Sequence, residues 1–279
     1  MPRSDMDHVK GIAEVAKTYP EEFRPVAREL AEVLTKTLRG VNITLDGIAW
    51  SAGKIAKVSD YLKRKVIPKL SGTPHDRIVR PKLSILGPAL EAVAYKAEEP
   101  ELEEMFANLL ATAMDAGSAP RIHPAFVEFL KQMTPDEARL LLHISRDPAA
   151  AYPVLHVVRQ SVDERGDPIG EWETVTNWSL LQHVDGLESG PLVARYLDNL
   201  ARMEIIQFKA PGQPFSDART YEDLEKHPEF QELMAKLTHR TGYKTEYRQS
   251  GFTVTFLGRD FIKYCVRPYE ERTATVLDE

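Results

Sequence analysis

Six basic side chains, Lys54, Lys57, Lys63, Arg64, Lys65 and Lys69, crowd one short stretch beside a single acid, Asp60. Apolar Ile48, Ile55, Val58, Leu62 and Val66 are interleaved with them at helical spacing. A basic amphipathic helix of this kind can lie on an anionic membrane surface or grip a phosphate backbone. Its lysines can equally form a solvated face, or pair with acids elsewhere in the fold. Glu98, Glu99, Glu101, Glu103 and Glu104 offer such acids. The same glutamates could hold a divalent cation, but they stand where a helix begins and its dipole favours negative charge. No metal is assigned to them.

Other chemistry-bearing residues are scattered. His123 precedes Pro124 at a helix start and His143 falls within a helix, positions that capping and packing explain. Asp163, Glu171 and Glu173 imitate nuclease carboxylates, but no lysine follows at the required spacing. The single Cys265 excludes an internal disulfide framework and a cysteine-built zinc site, and reads as a small buried hydrophobe. Phosphate-binding, dinucleotide-binding, nucleophile-elbow and HExxH motifs are all absent from the sequence. The residues therefore name no catalytic group and no cofactor, and the chain reads as non-enzymatic. A hydrolase site without a known motif is the residual alternative.

These side chains need elements to hold them. With 279 residues, 43% of them hydrophobic and 28% charged, the chain can bury a core and is not a disordered one. No apolar run reaches the roughly 20 residues that span a bilayer. The N-terminus mixes both charges without a long apolar stretch, so the expected compartment is the cytoplasm. Charge is segregated: residues 36–82 hold 11 basic side chains against 3 acids, while residues 83–120 hold one lysine against seven acids. The two blocks can pair, or leave one basic face to an anionic partner.

Helical periodicity dominates the first half. Segments are expected over Glu21–Leu38, Leu45–Lys69 and from Leu83 onward, the last kinked or divided at Gly87-Pro88. Leu102, Met105, Phe106, Leu109, Leu110 and Ala113 form one apolar face over Glu101–Met114. A short helix follows His123-Pro124, and Thr134-Pro135-Asp136-Glu137 reads as a cap, a first-turn proline and two first-turn acids opening another. After Ser145 the pattern changes. Tyr152–Gln160 and Glu171–Trp178 are β-rich and flank a turn composition, so they predict a hairpin. Helical spacing returns over Pro191–Met203, then a strand at Met203–Phe208, an insertion with a helix near Tyr221–Thr238, a strand at Phe252–Phe256 and a helix over Gly258–Val266.

That order resembles a winged helix-turn-helix, with Thr255, Gly258 and Phe261 marking the turn into its last helix. Lys or Arg along the recognition helix is what duplex binding requires. Residues 188–204 offer Arg195 and Arg202 on one face against Glu188, Asp198 and Glu204. A structural or protein-binding module fits better than a DNA reader. Four segments, 77–92, 103–115, 123–141 and 256–266, resemble the abortive infection alpha family of bacterial phage-defence proteins. The hairpin at 152–175 and the insertion at 210–250 depart from the pattern as embellishments.

The reading is thus a mainly α protein with a small β component (α+β): a helical domain over 1–130, an elaborated winged-helix-like domain over 131–268 and a tail over 269–279. The resemblance implies phage defence through contact with a partner, a host or phage protein or a second copy of the chain. Two rivals stand beside it: a winged-helix DNA-binding regulator using Arg195 and Arg202, and a membrane-surface effector using the basic face, without stable insertion.

Overall fold

The computed structural model describes residues 57–58, 60–96, 99–210, 213–238 and 243–269. The helix expected over Glu21–Leu38, Lys54 of the basic segment and residues 270–279 of the expected tail lie outside them. The described residues are mainly helical, with one four-stranded antiparallel sheet. They divide into two compact units. One runs up to Pro135 and resumes at Lys263; the other runs from Asp136 to Ile262. One division falls between Pro135 and Asp136 and the other between Ile262 and Lys263, inside the closing helical segment.

In the first unit a helical run passes through a π turn at Leu62–Val66, an α turn at Ile67–Lys69 and a 3-10 turn at Leu70–Gly72. Helix α1, Leu83–Lys96, follows. It is not divided at Gly87-Pro88. Pro88 sits inside it, and burial of Ile85, Leu86, Ala89, Leu90 and Val93 on both sides outweighs the roughly 3 kcal/mol a helical proline costs. Helix α2, Pro100–Ala113, and helix α3, Ala125–Gln132, complete the unit with residues 263–269.

Helix α2 is more deeply placed than one apolar face requires. Besides the expected face, Ala107, Asn108, Ala111 and Thr112 are buried. The polar pair is satisfied by the returning C-terminal segment. Asn108 Nδ2 donates to the Cys265 carbonyl at 3.1 Å, and the Tyr269 amide donates to Asn108 Oδ1 at 3.3 Å. Thr112 Oγ1 donates to its own helix at Asn108 and to the Tyr264 carbonyl at 3.2 Å. A buried amide or hydroxyl left without such partners would cost about 1–3 kcal/mol, so these two side chains dictate where residues 264–269 lie.

The second unit opens with helix α4, Pro135–Ile144, then strands β1, Tyr152–Val162, and β2, Pro168–Trp178. Helix α5, Val193–Arg202, strand β3, Ile206–Phe208, helix α6, Pro228–Thr238, strand β4, Tyr243–Val254, and helix α7, Phe256–Phe261, follow. The sheet order is β2-β1-β4-β3. The hairpin is no embellishment. β1 pairs with β4 from Tyr152↔Phe252 to Ser161↔Tyr243, so β1 and β4 form the centre of the sheet and β2 and β3 its edges. β4 is also far longer than the strand expected at Phe252–Phe256, because the end of the 210–250 insertion is itself strand.

One sheet face packs on the insertion. Leu155, Val157 and Trp178 bury against Tyr221, Leu224 and Phe230, with Leu233, Met234 and Leu237 of α6 partly covering them. On α4, the two first-turn acids are buried and work as anchors. Asp136 accepts the amides of Glu188 and Ser189, both at 2.9 Å, and Arg139 Nη1 at 2.8 Å. Glu137 accepts Asn199 Nδ2 at 2.7 Å. They tie α4 to the entry and body of α5. At the end of the unit, Thr255 caps α7 by accepting the Gly258 amide at 2.9 Å.

Candidate functional site

The basic segment is largely spent on internal pairing. Lys69 is buried and bonded to Glu104; Lys65 Nζ lies 3.4 Å from Glu104 and 3.9 Å from Glu103. The buried Tyr61 hydroxyl donates to the Glu103 carbonyl at 2.7 Å. Burial would raise the Glu104 carboxyl, but Lys69 and then Lys65 hold it below its ordinary range. Burial, then Glu103 and Glu104, push the Tyr61 phenol well up. Arg64 pairs with Asp60 at 2.7 Å on the exposed side. Lys63 is half-buried and Lys57 exposed. Within the described part of this segment, Lys65 and Lys69 are paired with Glu103 and Glu104 of the acidic block, and Arg64 with Asp60.

Arg195 and Arg202 are both exposed on α5. Arg202 is turned back onto its own helix, its Nε and Nη2 donating to Asn199 Oδ1 at 3.0 and 2.7 Å. Two of the three hairpin carboxylates that imitate a nuclease, Asp163 and Glu171, are engaged in structural hydrogen bonds. Asp163 accepts the amides of Arg165 and Asp167 in the turn, and Glu171 accepts Gln160 and Arg248 across the sheet. His123 Nδ1 accepts the Ala125 amide at 3.1 Å, a cap at the start of α3.

Two constellations emerge that sequence spacing does not reveal. The first is on the sheet face beyond the cover of α6. Arg159, Trp172 and Thr245 stand side by side across β1, β2 and β4. The Arg159 guanidinium lies 4.5 Å from the Tyr243 ring centre, and Trp172 meets that ring edge-on at 5.5 Å. Arg159 is only 6% exposed, and its Nε and Nη2 find no hydrogen-bond acceptor among the described residues. Outward of it, Trp172 and Tyr243 are exposed, and Ile169 is 72% exposed. Large apolar side chains are thus held outward on the sheet.

The second brings His183, at the end of a 3-10 turn over Leu180–His183, to His227 and Glu229 at the start of α6. One ligand atom from each lies within 4.8 Å of the others. His183 Nε2 is 3.2 Å from Glu229 Oε2, and the two imidazole rings stand 5.1 Å apart. Trp178 packs against both His227 and Phe230, so the core positions the cluster from below. Sequence reading treats these histidines as scattered, because the ligands come from segments far apart in the chain. The only local signal is His227-Pro228-Glu229 at a helix start.

The sequence profile of the abortive infection alpha family matches residues 54–265. This chain belongs to the abortive infection alpha family. Membership associates it with abortive infection, a form of bacterial phage defence. The matched region of this Abi-alpha protein takes in the paired basic segment, the whole sheet and both constellations. No curated protein matches the chain. Among solved structures, an uncharacterized protein from the hydrocarbon-degrading marine bacterium Alcanivorax borkumensis SK2 is similar at 21% identity, covering 51% of this chain and 92% of that one with a TM-score of 0.30. No helix among the described residues of the Abi-alpha chain is long and apolar enough to cross a membrane.

Proposed function

We propose that this Abi-alpha protein acts in phage defence by binding a protein partner, without covalent chemistry of its own, through the outer sheet face around Trp172 and Tyr243. The observation that carries this is the Arg159–Tyr243–Trp172 cluster, with the exposed Ile169 on the same strand as Trp172. Trp, Tyr and Arg are the side chains that dominate protein-interface energies, because large rigid groups bury area at little entropic cost. The surrounding charge favours protein over nucleic acid. The hairpin and β4 carry Asp163, Glu164, Asp167, Glu171, Glu173 and Glu246 against Arg159, Arg165, Lys244 and Arg248, a balance that repels a phosphate backbone. The pairing of Lys65 and Lys69 with Glu104 likewise removes support from the membrane-surface reading.

Plaquing efficiency on cells expressing the intact chain tests this. Ile169→Glu and Trp172→Ala should abolish protection while expression and melting temperature stay unchanged, and a photocrosslinker at position 169 should yield one protein adduct that Trp172→Ala removes. Full protection by folded Ile169→Glu and Trp172→Ala proteins would overturn the assignment.

A further inference from the structure

We infer that His183, His227 and Glu229 form a zinc-binding site in the second unit. Two imidazoles and one carboxylate are a donor set that zinc takes, with a fourth position left to water. Ligand atoms about 2.1 Å from a tetrahedral ion stand about 3.4 Å from one another. The 3.2 Å between His183 Nε2 and Glu229 Oε2 matches that separation, and the third donor is within 4.8 Å of both.

The surroundings fit a binding site. Gln182 Nε2 donates to Glu229 Oε2 at 3.0 Å and lies 3.2 Å from His183 Nε2, so it orients the carboxylate from outside. Such outer contacts fix the direction of a ligand's lone pairs. His227 rests on Trp178, and its Nδ1 is buried without a hydrogen-bond partner among the described residues. The imidazole's hydrogen bonding is thus incomplete in the protein alone. His183 and Glu229 are exposed, so an ion reaches the site from solvent and keeps an exchangeable coordination position. Bound zinc adds to the packing on Trp178 and Phe230 and to the Gln182–Glu229 hydrogen bond in clamping the segment after β2 to the N-terminus of α6.

Chelator-stripped, full-length protein titrated with zinc against a chromogenic competitor tests the site. One equivalent should bind. His183→Ala, His227→Ala and Glu229→Gln should each weaken binding at least about tenfold, and Gln182→Ala by about the same factor through loss of orientation. Cobalt should give tetrahedral visible absorption that the His183→Ala/His227→Ala double variant lacks. Because His183 and Glu229 are exposed, these variants should retain the wild-type circular dichroism. The assignment fails if no zinc binds at tens of micromolar, leaving only the Gln182, His183 and Glu229 hydrogen bonds, or if the double variant binds zinc as tightly as the wild type through the other histidines.

Discussion

The Tyr196 hydroxyl donates a 3.1 Å hydrogen bond to the Asp136 carboxylate, linking α5 to the first turn of α4. Burial alone would raise the Asp136 carboxyl, but the amides of Glu188 and Ser189, the Arg139 guanidinium and Tyr196 together hold it below 3.8. Burial, and then the same contact, push the Tyr196 phenol up to about 12. Four donors converge on one carboxylate. The acid that sequence reading assigns to a helix start thus holds two helices and a loop together.

Replacing that carboxylate should therefore be costly. Asp136→Asn leaves at least one of the converging donors without an acceptor and should lower unfolding free energy by about 2–4 kcal/mol in urea melts. Because the folded carboxyl titrates below its unfolded value, its contribution is present above pH 3.8 and is lost as pH falls through the lower folded value. Asp136→Asn should flatten the stability profile in that acid window. A variant as steep and as stable as the wild type would show that the four contacts are energetically idle.

Charge reversal separates the paired lysines from the open one. Lys69→Glu places an acid beside Glu104 in a buried position and should destabilise by about 3–5 kcal/mol. Lys57→Glu, on an exposed side chain, should change stability by less than about 0.5 kcal/mol. Combining Lys69→Glu with Glu104→Lys should recover part of the loss. Equal tolerance of both single reversals in thermal melts would mean that the basic segment is solvated rather than paired.

Duplex DNA should bind weakly. With Arg202 folded onto Asn199 and Asp198 beside it, affinity at physiological salt should stay within the nonspecific range of about 10⁻⁴ to 10⁻⁶ M. Arg195→Ala and Arg202→Ala should scarcely alter it in fluorescence anisotropy. Nanomolar, sequence-dependent binding lost in either variant would instead favour the regulator.

Gly258 tests the turn into α7. A Cβ there would run into the Ile205 carbonyl oxygen and crowd Val254. Backbone cannot yield as a flexible side chain does, so Gly258→Ala should cost about 1–3 kcal/mol, measured by chemical unfolding. Gly166→Ala offers a contrast. Nothing crowds that turn, and its penalty arises from a φ of 87° alone, about 1 kcal/mol.

Several helices were legible because burial on one face leaves a period in the sequence. Leu102 to Ala113 shows it, as do the cap signals at Pro135. What was not legible depends on partners remote in sequence. Asn108 and Thr112 look like ordinary polar positions until residues 264–269 return to satisfy them. β1 reads as half of a hairpin, but its other partner lies at Tyr243–Phe252. Lys65 and Lys69 read equally as surface or as half of an ion pair, and only Glu104 decides. His183 and His227 carry no spacing that announces a shared ligand, because the fold alone brings the 3-10 turn to α6.

Both units close with residues that follow most of their own elements in the chain. β1 cannot complete its pairing before β4 exists, and α2 keeps Asn108 and Thr112 unsatisfied until residues 264–269 arrive. Neither unit can therefore close before its returning segment has been made. Such distant closures slow folding and expose unpaired strand edges meanwhile. A chain cut short before residue 264 should be a substrate for proteases rather than a working half-protein, because Asn108 and Thr112 then stay buried without their partners.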